Sequence, residues 1–351
     1  MNILAVGVMS GTSLDGIDIA LCRFSESANI WSYQIIDAWT ISYSEQWIEK
    51  LRNAPLLNAQ EFLILHNEYG QYTGQLINEF LITKERPELV ASHGHTIFHQ
   101  PDKKITFQLG NGASIAAATG ISTVSDFRSL DIALGGQGAP LVPTGDQLLF
   151  PDVDYCLNLG GFANISFQEN GHRIAFDICP VNIILNTLAK QRGMTYDKDG
   201  EIGASGTVNY TLLKKLNNLD FYIQKWPKSL GREWVENQIN PLLSDSEIPV
   251  EDQIATFYAH ITDQISKVTG KTGTLLITGG GANNRFLINE LKAKISCRVI
   301  LPDQKLIDFK EALIFAFLGV LAFKGRINVY ASATGSSCNH IGGTLYHIEN
   351  K

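Results

Sequence analysis

The chain has 351 residues, 44% hydrophobic and 18% charged, which is the composition of a globular protein rather than a disordered one. That length is about twice a typical domain, so we expect two domains. Lys and Arg total 28 against 35 Asp and Glu, giving a net charge of −7. Because no basic stripe offers a footprint for a phosphate backbone, nucleic acid is not expected as a partner.

The first residues, Met1-Asn-Ile-Leu-Ala-Val-Gly, predict a strand rather than a charged leader with a cleavage site. No apolar run in the sequence reaches the length of a membrane span. We therefore expect a cytoplasmic protein without a membrane partner. The five cysteines are scattered and form no C-x-x-C pair, a pattern that indicates reduced thiols.

A glycine-rich hairpin is predicted near the start of the chain. Residues 3–9 are apolar and residues 17–24 alternate apolar with polar, which is typical of two strands joined by a turn. The turn contains glycines, hydroxyls and one carboxylate, on Gly11, Thr12, Ser13, Asp15 and Gly16. Such a tip can bond phosphate oxygens, although the same residues also make an ordinary hairpin turn. The ending of a Walker A loop is absent.

Strands and helices then alternate. We predict strands over 31–40, 89–92, 105–109 and 121–124, a helix from a capping-box sequence at 58–61 to about residue 82, and a helix over 113–119. Residues 126–143 are rich in glycine and proline and form too long a run for an idle loop, so they are a candidate binding segment. The domain boundary is placed after this run, which gives expected domains 1–150 and 151–351.

The second half opens on the same design as the first. Residues 156–167 predict a strand, a turn containing Gly160 and Gly161, and a returning strand with Asn164. Two such hairpins facing each other across a cleft could clamp a polyphosphate. A third glycine site, at Gly279, Gly280 and Gly281, lies where a strand over 274–278 feeds a helix, which suits packing of a nucleoside against bare backbone.

Asp177 ends a predicted strand over 173–177 and precedes a predicted helix over 181–192. Ligands of α/β sheets bind beyond the carboxyl ends of strands, so the carboxylate is a candidate site residue. Asp is also common at helix starts, and a purely capping role stays open. Further helices are predicted over 254–268 and 308–324, with Glu311 in the first turn of the second.

His93-Gly-His95 has the spacing of two imidazoles that could share a metal ion. No acid or cysteine stands at a matching spacing, so the pattern does not favour a zinc site. Arg128 could hold a carboxylate by a forked pair of hydrogen bonds, and Glu311 could bond sugar hydroxyls. A surface ion pair and a helix-dipole partner are the alternatives for these two residues.

Several segments, in order, resemble the motifs of the anhydro-N-acetylmuramic acid kinase family. They are Gly-Val-Met-Ser-Gly-Thr-Ser-Leu-Asp-Gly-Ile-Asp over 7–18, Ser-His-Gly-His-Thr over 92–96, Ser-Asp-Phe-Arg over 125–128, Asp-Ile-Ala-Leu-Gly-Gly-Gln-Gly-Ala-Pro-Leu-Val-Pro over 131–143, Asn-Leu-Gly-Gly-Phe-Ala-Asn over 158–164 and Thr-Gly-Gly-Gly-Ala-Asn-Asn over 278–284. The run over 131–143 is the most specific. Residues 228–233 match too, and no role is assigned to them.

The resemblance implies an α/β fold similar to sugar kinases, Hsp70 and actin, with two related domains of mixed sheets flanked by helices around a nucleotide cleft. It also implies a kinase that uses ATP and Mg²⁺. Such an enzyme hydrolyses the 1,6-anhydro bond of anhydro-N-acetylmuramic acid, a small anhydro amino sugar, and phosphorylates O6 to give N-acetylmuramic acid 6-phosphate in cell-wall recycling. Two alternatives stay open: a nucleotide-dependent binding or regulatory protein, and a kinase for another sugar. A homodimer is also left open.

The resemblance assigns roles to individual residues. Asp177 is the expected general base. Apart from the resemblance, Asp15 is the expected magnesium ligand, through water, because a hard cation prefers carboxylate and water oxygen. The expected nucleotide-binding residues are Gly11, Thr12, Ser13, Leu14, Asp15, Gly16, Asp18, Gly160, Gly161, Asn164, Gly279, Gly280 and Gly281. The expected substrate-binding residues are His93, Arg128, Asn182 and Glu311.

The sequence departs from the family pattern beside Asp177. Where the family has Asp-Thr-Gly-Pro-Gly-Asn, this chain has Asp177-Ile-Cys-Pro-Val-Asn182, so that Cys179 and Val181 replace two glycines. Asn186 stands where Asp is usual. Glycine allows close approach of a ligand and Val181 restricts the backbone, so these departures put the fit of the sugar in question.

Overall fold

The computed structural model describes residues 2–11, 14–244 and 247–349. The chain forms two compact units: unit 1 is Met1–Phe150 with Phe309–Lys351, and unit 2 is Pro151–Asp308. The division after Phe150 coincides with the expected one. Residues 309–351, however, group with the first half of the chain rather than with the second. The sequence pattern predicts their helix but cannot indicate which sheet the helix covers.

Twelve strands lie in the described part of the chain: β1 (Asn2–Ser10), β2 (Gly16–Ser27), β3 (Ile30–Ser42), β4 (Leu89–Gln100), β5 (Ile105–Leu109), β6 (Ser122–Ser125), β7 (Tyr155–Leu159), β8 (Phe162–Glu169), β9 (His172–Pro180), β10 (Thr274–Thr278), β11 (Arg298–Ile300) and β12 (Thr344–Tyr346). The α-helices in the same residues are α1 (Glu45–Asn53), α2 (Ala59–Leu81), α3 (Gly112–Thr119), α4 (Ser129–Ala133), α5 (Val142–Leu149), α6 (Asn182–Lys190), α7 (Glu201–Ser205), α8 (Tyr210–Asn217), α9 (Arg232–Trp234), α10 (Asn240–Ser244), α11 (Val250–Val268), α12 (Arg285–Lys294), α13 (Gln304–Phe323) and α14 (Ala331–Thr334). Within the described residues, none of these helices combines the length and apolarity that a membrane span needs.

The two sheets repeat one topology. In unit 1 the strand order is β12-β6-β4-β1-β2-β3, with β5 also pairing β4, and in unit 2 it is β11-β10-β7-β8-β9. In each sheet three consecutive strands form an antiparallel meander, β1-β2-β3 in unit 1 and β7-β8-β9 in unit 2. The first strand of the meander pairs in parallel with a later strand, β4 or β10. That strand pairs in parallel with one more, β6 or β11. The predicted pair of related α/β domains with mixed sheets and flanking helices is confirmed.

A local capping signal predicts the start of α2. The Asn58 side chain accepts a hydrogen bond from the Glu61 N–H at 3.0 Å, and the Glu61 side chain accepts one from the Asn58 N–H at 3.2 Å. This reciprocal capping box starts α2 where the sequence predicts it. The predicted ends of two strands are wrong. β4 continues past residue 92 by pairing with β5, and β9 continues past residue 177 by pairing with β8, so His93, His95 and Asp177 lie inside strands.

Helix α13 lies unusually close to the sheet of unit 1. A Cβ atom added to Gly7 would stand 1.8 Å from the carbonyl oxygen of Ala312, and one added to Gly319 would stand 2.4 Å from the Ala91 Cβ. Glycine therefore allows the helix to contact β1 and β4 directly. Phe309, with φ −115° and ψ 16°, interrupts the helical geometry just before this contact, and Glu311 follows it.

We predict that Gly7→Ala destabilises the protein by about 3 kcal/mol, the upper range for overpacking of a core, because the obstructing atom is backbone and cannot rotate away. Chemical denaturation of the variant and the parent measures the difference. Gly161→Ala is the matched control, since a Cβ there meets nothing within 4 Å. Equal denaturation midpoints for Gly7→Ala and the parent would contradict the close packing of α13 on β1.

Candidate active site

A row of polar residues crosses the sheet of unit 2. Thr278, Asn158, Asn164 and Asp177 are register partners on β10, β7, β8 and β9. Directly paired residues project from the same face of a sheet, and Thr278 Oγ1 donates to Asn158 Oδ1 at 3.5 Å. The sequence pattern points to Asn164 and Asp177 as site residues but not to the other two, because register between distant strands is not visible in a sequence.

Asp177 is held by the chain segment over 228–230. Its N–H donates to the carbonyl oxygen of Lys228 at 3.1 Å, and its Oδ2 accepts from the Leu230 N–H at 2.8 Å. Val181, and not Asp177, occupies the N-cap position of α6. The structure therefore contradicts the capping alternative.

Burial determines the protonation of Asp177. Desolvation raises the pKa of its carboxyl group to about 6, and the hydrogen bond from Leu230 opposes that shift because it favours the charged form. A carboxylate with such a pKa is ionised at neutral pH and is basic enough to take a proton from water. Asp177 thus has the properties of a general base.

The segment that holds Asp177 is anchored by Lys228. Its Nζ donates to the carbonyl oxygen of Phe221 at 3.1 Å and lies 4.5 Å from the centre of the Phe221 ring. The Phe176 ring, next to Asp177, is 5.7 Å from the same ammonium group. Residues 228–230, which received no role from the sequence, therefore orient the candidate base.

The second hairpin has a tip fixed on one side and open on the other. The carbonyl oxygen of Gly161 accepts from the N–H groups of Val181 and Ile183 at 2.8 and 3.3 Å, and that of Gly160 accepts from the Asn182 N–H at 3.3 Å. A Cβ on Gly161 would meet nothing within 4 Å, and one on Gly160 would come no closer than 3.4 Å to any atom. No packing constraint requires glycine at 161, and the open side leaves room for a ligand.

A cavity of about 430 Å³ lies in unit 2, a volume typical of small-molecule sites. Its lining residues are Asn182, Leu185, Asn186, Tyr196, Asp197, Lys198, Asp199, Tyr258, Gly280, Gly281, Asn283 and Asn284. The predicted glycine loop lines the cavity, and Asn182, predicted on the substrate side, lies beside it. The residues over 196–199 were missed, because nothing in their local pattern marks them.

The three glycines of that loop differ in their surroundings. An added Cβ would stand 2.6 Å from the Asn158 side chain at Gly279 and 2.7 Å from Leu159 at Gly281, so packing against β7 explains both. At Gly280 the nearest atom would be the Asn182 Nδ2 at 3.9 Å. Gly280 alone of these three offers open backbone to a ligand.

Cys179 and Val181, which replace family glycines, are both 0% exposed and belong to the apolar core of unit 2. Burial raises the pKa of the Cys179 thiol above its ordinary value. Neither residue lines the cavity, since both side chains fill the core. Asn186, the third departure, does line it.

The first hairpin of unit 1 is formed by β1 and β2, as predicted. Thr12 and Ser13 lie outside the described residues. Leu14 adopts a left-handed conformation with φ +61°, and Asp15 is exposed. A Cβ on Gly16 would stand 2.4 Å from the carbonyl oxygen of Ile41, so strand packing accounts for this glycine.

Asp18 occupies the position in unit 1 that Asn164 occupies in unit 2. It pairs with Met9 on β1 and Thr40 on β3, as Asn164 pairs with Asn158 and Asp177. Thr40 Oγ1 donates to Asp18 Oδ1 at 2.6 Å.

Arg128 is oriented by two partners. Its Nε donates to His93 Nε2 at 2.9 Å, and its Nη1 donates to the carbonyl oxygen of Gly138 at 2.7 Å. Burial and the charge of Arg128 lower the pKa of His93, so the ring is neutral and Nε2 can accept. His93 Nδ1 is 2.9 Å from the Gly94 carbonyl oxygen. Both ring nitrogens of His93 are thus engaged by the protein, and the ring orients Arg128.

Glu311 shares the electrostatic environment of Arg128 and Asp18. The Glu311 side chain reaches solvent, but the surrounding protein limits its hydration. This loss of hydration raises the pKa of Glu311, and the charge of Asp18 raises it further. The charge of Arg128 opposes the rise. Burial lowers the pKa of Arg128 to about 10, against the opposing charge of Glu311. Arg128 is still a cation at neutral pH. The predicted residues His93, Arg128, Asp18 and Glu311 therefore form one group in unit 1.

We predict that the Asp177 carboxyl group titrates near pH 6 in the folded protein. Carbon NMR of protein labelled at aspartate side chains measures the midpoint, and the signal missing from the Asp177→Asn spectrum identifies the residue. A midpoint near that of an unperturbed aspartate, about 4, would show that burial does not make this carboxylate basic.

Solved structures with a similar course of the chain include component A of the (R)-2-hydroxyglutaryl-CoA dehydratase from Acidaminococcus fermentans, with a TM-score of 0.45 and 13% identity, covering 90% of this chain and 97% of that one. A ROK family glucokinase from Streptomyces griseus has a TM-score of 0.43 and 12% identity, covering 90% and 99% of the two chains. Scores below 0.5 contribute nothing to an assignment.

Sequence relatives are more informative. The profile of the anhydro-N-acetylmuramic acid kinase family matches residues 3–348. Proteins named anhydro-N-acetylmuramic acid kinase from Pseudomonas savastanoi pv. phaseolicola and Pseudomonas fluorescens are 33% and 34% identical to this chain, covering 99% and 98% of it and 100% and 99% of their own lengths. One from Vibrio cholerae is 32% identical and covers 98% of each chain. This chain therefore belongs to the anhydro-N-acetylmuramic acid kinase family.

Proposed function

We propose that this protein is an ATP-dependent anhydro-N-acetylmuramic acid kinase that opens the 1,6-anhydro bond with water and phosphorylates O6. The observation that carries the proposal is Asp177, a carboxylate with a pKa raised to about 6 in a row of polar side chains. A protein that only bound nucleotide would not need such a base. The product, N-acetylmuramic acid 6-phosphate, belongs to cell-wall recycling.

The proposed reaction makes three bonds and breaks three, one of each in a proton transfer. Asp177 takes a proton from water while the water oxygen bonds to the anomeric carbon, and the bond from that carbon to O6 breaks. O6 bonds to the γ-phosphorus of ATP, and the bond from phosphorus to the ADP oxygen breaks. General-base assistance of this kind contributes about 10²- to 10⁴-fold to the rate.

The nucleotide is assigned to the open glycine backbone of unit 2. Gly160 and Gly161 are proposed to lie against the phosphates. Gly161, where a Cβ would meet nothing within 4 Å, is proposed to donate its N–H to a phosphate oxygen. The Gly160 N–H donates to the Phe162 carbonyl oxygen at 3.2 Å, so this glycine is proposed to give the phosphates room to approach. The cavity beside Gly280 is proposed to hold the nucleoside, and its amide side chains, among them Asn182 and Asn186, can bond a base and a ribose. Asn182 is thereby reassigned from the sugar to the nucleotide.

The sugar is assigned to the group around Arg128 in unit 1. N-acetylmuramic acid carries a carboxylate, and a guanidinium oriented by His93 and Gly138 suits such an anion. Glu311 is proposed to accept hydrogen bonds from sugar hydroxyls. Its raised pKa does not prevent this, because a protonated carboxyl group keeps acceptor capacity.

Magnesium is proposed to bind at Asp15, through water, in the first hairpin. Asp15 is an exposed carboxylate next to Gly16, and Mg²⁺ prefers carboxylate and water oxygens. A bound magnesium ion would neutralise charge on the phosphates. A cytoplasmic location and a homodimer stay predictions.

We predict that Asp177→Asn lowers kcat by at least about 100-fold without lowering the melting temperature, since the amide keeps the shape but cannot accept the proton. Activity of the parent should fall as the pH drops through about 6, because protonated Asp177 is no longer a base. In ¹⁸O-labelled water the parent should place the label on the anomeric carbon and none on phosphate, as mass spectrometry of the product can show.

Label on phosphate would mean that water attacks ATP, which makes the protein an ATPase and removes the kinase proposal. Normal turnover by Asp177→Asn would leave water attack intact but remove Asp177 from it.

We also predict that Gly161→Val weakens ATP binding at least about tenfold in calorimetry while the protein remains folded, because the added side chain extends into the open side of the second hairpin. Gly161→Ala should give a smaller effect, and affinity for the anhydro sugar should not change. If Gly161→Val binds ATP like the parent, the phosphates do not contact this hairpin.

A further inference from the structure

A buried carboxylate, Asp131, lies two hydrogen bonds from Arg128. Asp131 is 0% exposed, and its Oδ2 accepts from the Gly138 N–H at 2.6 Å. The carbonyl oxygen of the same Gly138 accepts from Arg128 Nη1 at 2.7 Å. Gly138 thus connects the two side chains: its N–H donates to Asp131, and its carbonyl oxygen accepts from Arg128.

The loop over residues 135–138 surrounds the Asp131 carboxyl group. The Gly136 N–H donates to the backbone oxygen of Asp131 at 2.8 Å, and a Cβ on Gly136 would stand 2.2 Å from Asp131 Oδ2. Gly138 has φ +69°, a conformation that favours glycine. Because a buried carboxyl group is costly unless it is hydrogen-bonded, the loop conformation and the Asp131 side chain depend on each other.

The C-terminal segment of unit 1 completes the surroundings of Asp131. Thr334 Oγ1 donates to Asp131 Oδ1 at 2.6 Å, and His340 Nε2 lies 3.6 Å from the same oxygen. The Gln137 N–H donates to the Thr334 carbonyl oxygen at 2.8 Å. The Asp131 side chain is therefore fixed by residues outside the 135–138 loop, and it can hold Gly138 in one position.

We propose that Asp131 is a positioning residue for the sugar: through Gly138 it fixes the guanidinium of Arg128 in the orientation that binds the substrate carboxylate. The inference rests on the proposed function, which makes Arg128 the sugar-binding cation. The negative charge of Asp131 also favours the charged form of Arg128. Asp131 itself is fully buried, so it acts on the sugar only through its neighbours.

A double-mutant cycle tests this chain of contacts. We expect Asp131→Asn to raise the KM for the anhydro sugar about tenfold and to change the KM for ATP by less than about twofold. If Asp131 acts through Arg128, the double variant with Arg128→Met should be no worse than Arg128→Met alone. Effects that multiply, or equal changes in both KM values, would assign Asp131 a purely structural role and overturn the proposal.

A second readout does not require turnover. In ¹⁵N NMR of the unliganded protein, Asp131→Asn should shift or broaden the Arg128 Nε–H signal, whereas the exposed control Ser129→Ala, which loses a bond only to Asp126, should not. An unchanged signal in Asp131→Asn overturns the proposal. If the parent fails to bind the anhydro sugar, the proposed function fails, and this NMR result still decides whether Asp131 positions Arg128.

If Asp131→Asn does not fold, Thr334→Val replaces it, because that change removes a donor to Asp131 while keeping the Asp131 side chain itself. A selective rise in the sugar KM supports the proposal, and a KM equal to that of the parent overturns it.

Discussion

The contact between Gly7 and Ala312 is the constraint on which much of unit 1 depends. With no side chain at Gly7, the backbone of α13 lies against β1, the strand that leads into the first hairpin. Glu311 immediately precedes Ala312, so the same contact fixes the start of the helix and the carboxylate on it. The electrostatic coupling of Glu311 to Asp18 and Arg128 follows from this placement. A bulkier residue at position 7 would move all of these groups together.

The two charged groups at the centre of the proposed chemistry are prepared in different ways. Asp177 becomes a base through loss of hydration, which raises the pKa of its carboxyl group. Arg128 remains a cation at neutral pH, and its surroundings set its direction rather than its charge. The neutral ring of His93 is suited to this task, because a protonated ring could not accept the Arg128 Nε–H. Burial therefore sets the basicity of Asp177, and hydrogen bonds set the direction of the Arg128 guanidinium.

Features that depend on neighbouring residues could be predicted from the sequence, and features that depend on register could not. The capping box of α2 and both glycine hairpins follow from local patterns and are present in the structure. The row that joins Thr278 to Asp177 crosses strands about 120 residues apart in sequence and needs the register. The burial of Cys179 likewise depends on which way β9 faces, and that of Val181 on how the chain enters α6. The sequence therefore predicted local elements better than the contacts between distant residues.

The repeated strand order has an evolutionary consequence. Thr40 and Asp177 stand at equivalent points of the two meanders, as do Asp18 and Asn164. If one ancestral half was duplicated, each copy kept its hairpin and its sheet while the acidic side chain settled on the middle strand in one copy and on the third strand in the other. At these two pairs of positions the acidic side chain lies on β2 in unit 1 and on β9 in unit 2. A carboxylate can therefore stand on either of two neighbouring strands of the meander while the strand order stays the same.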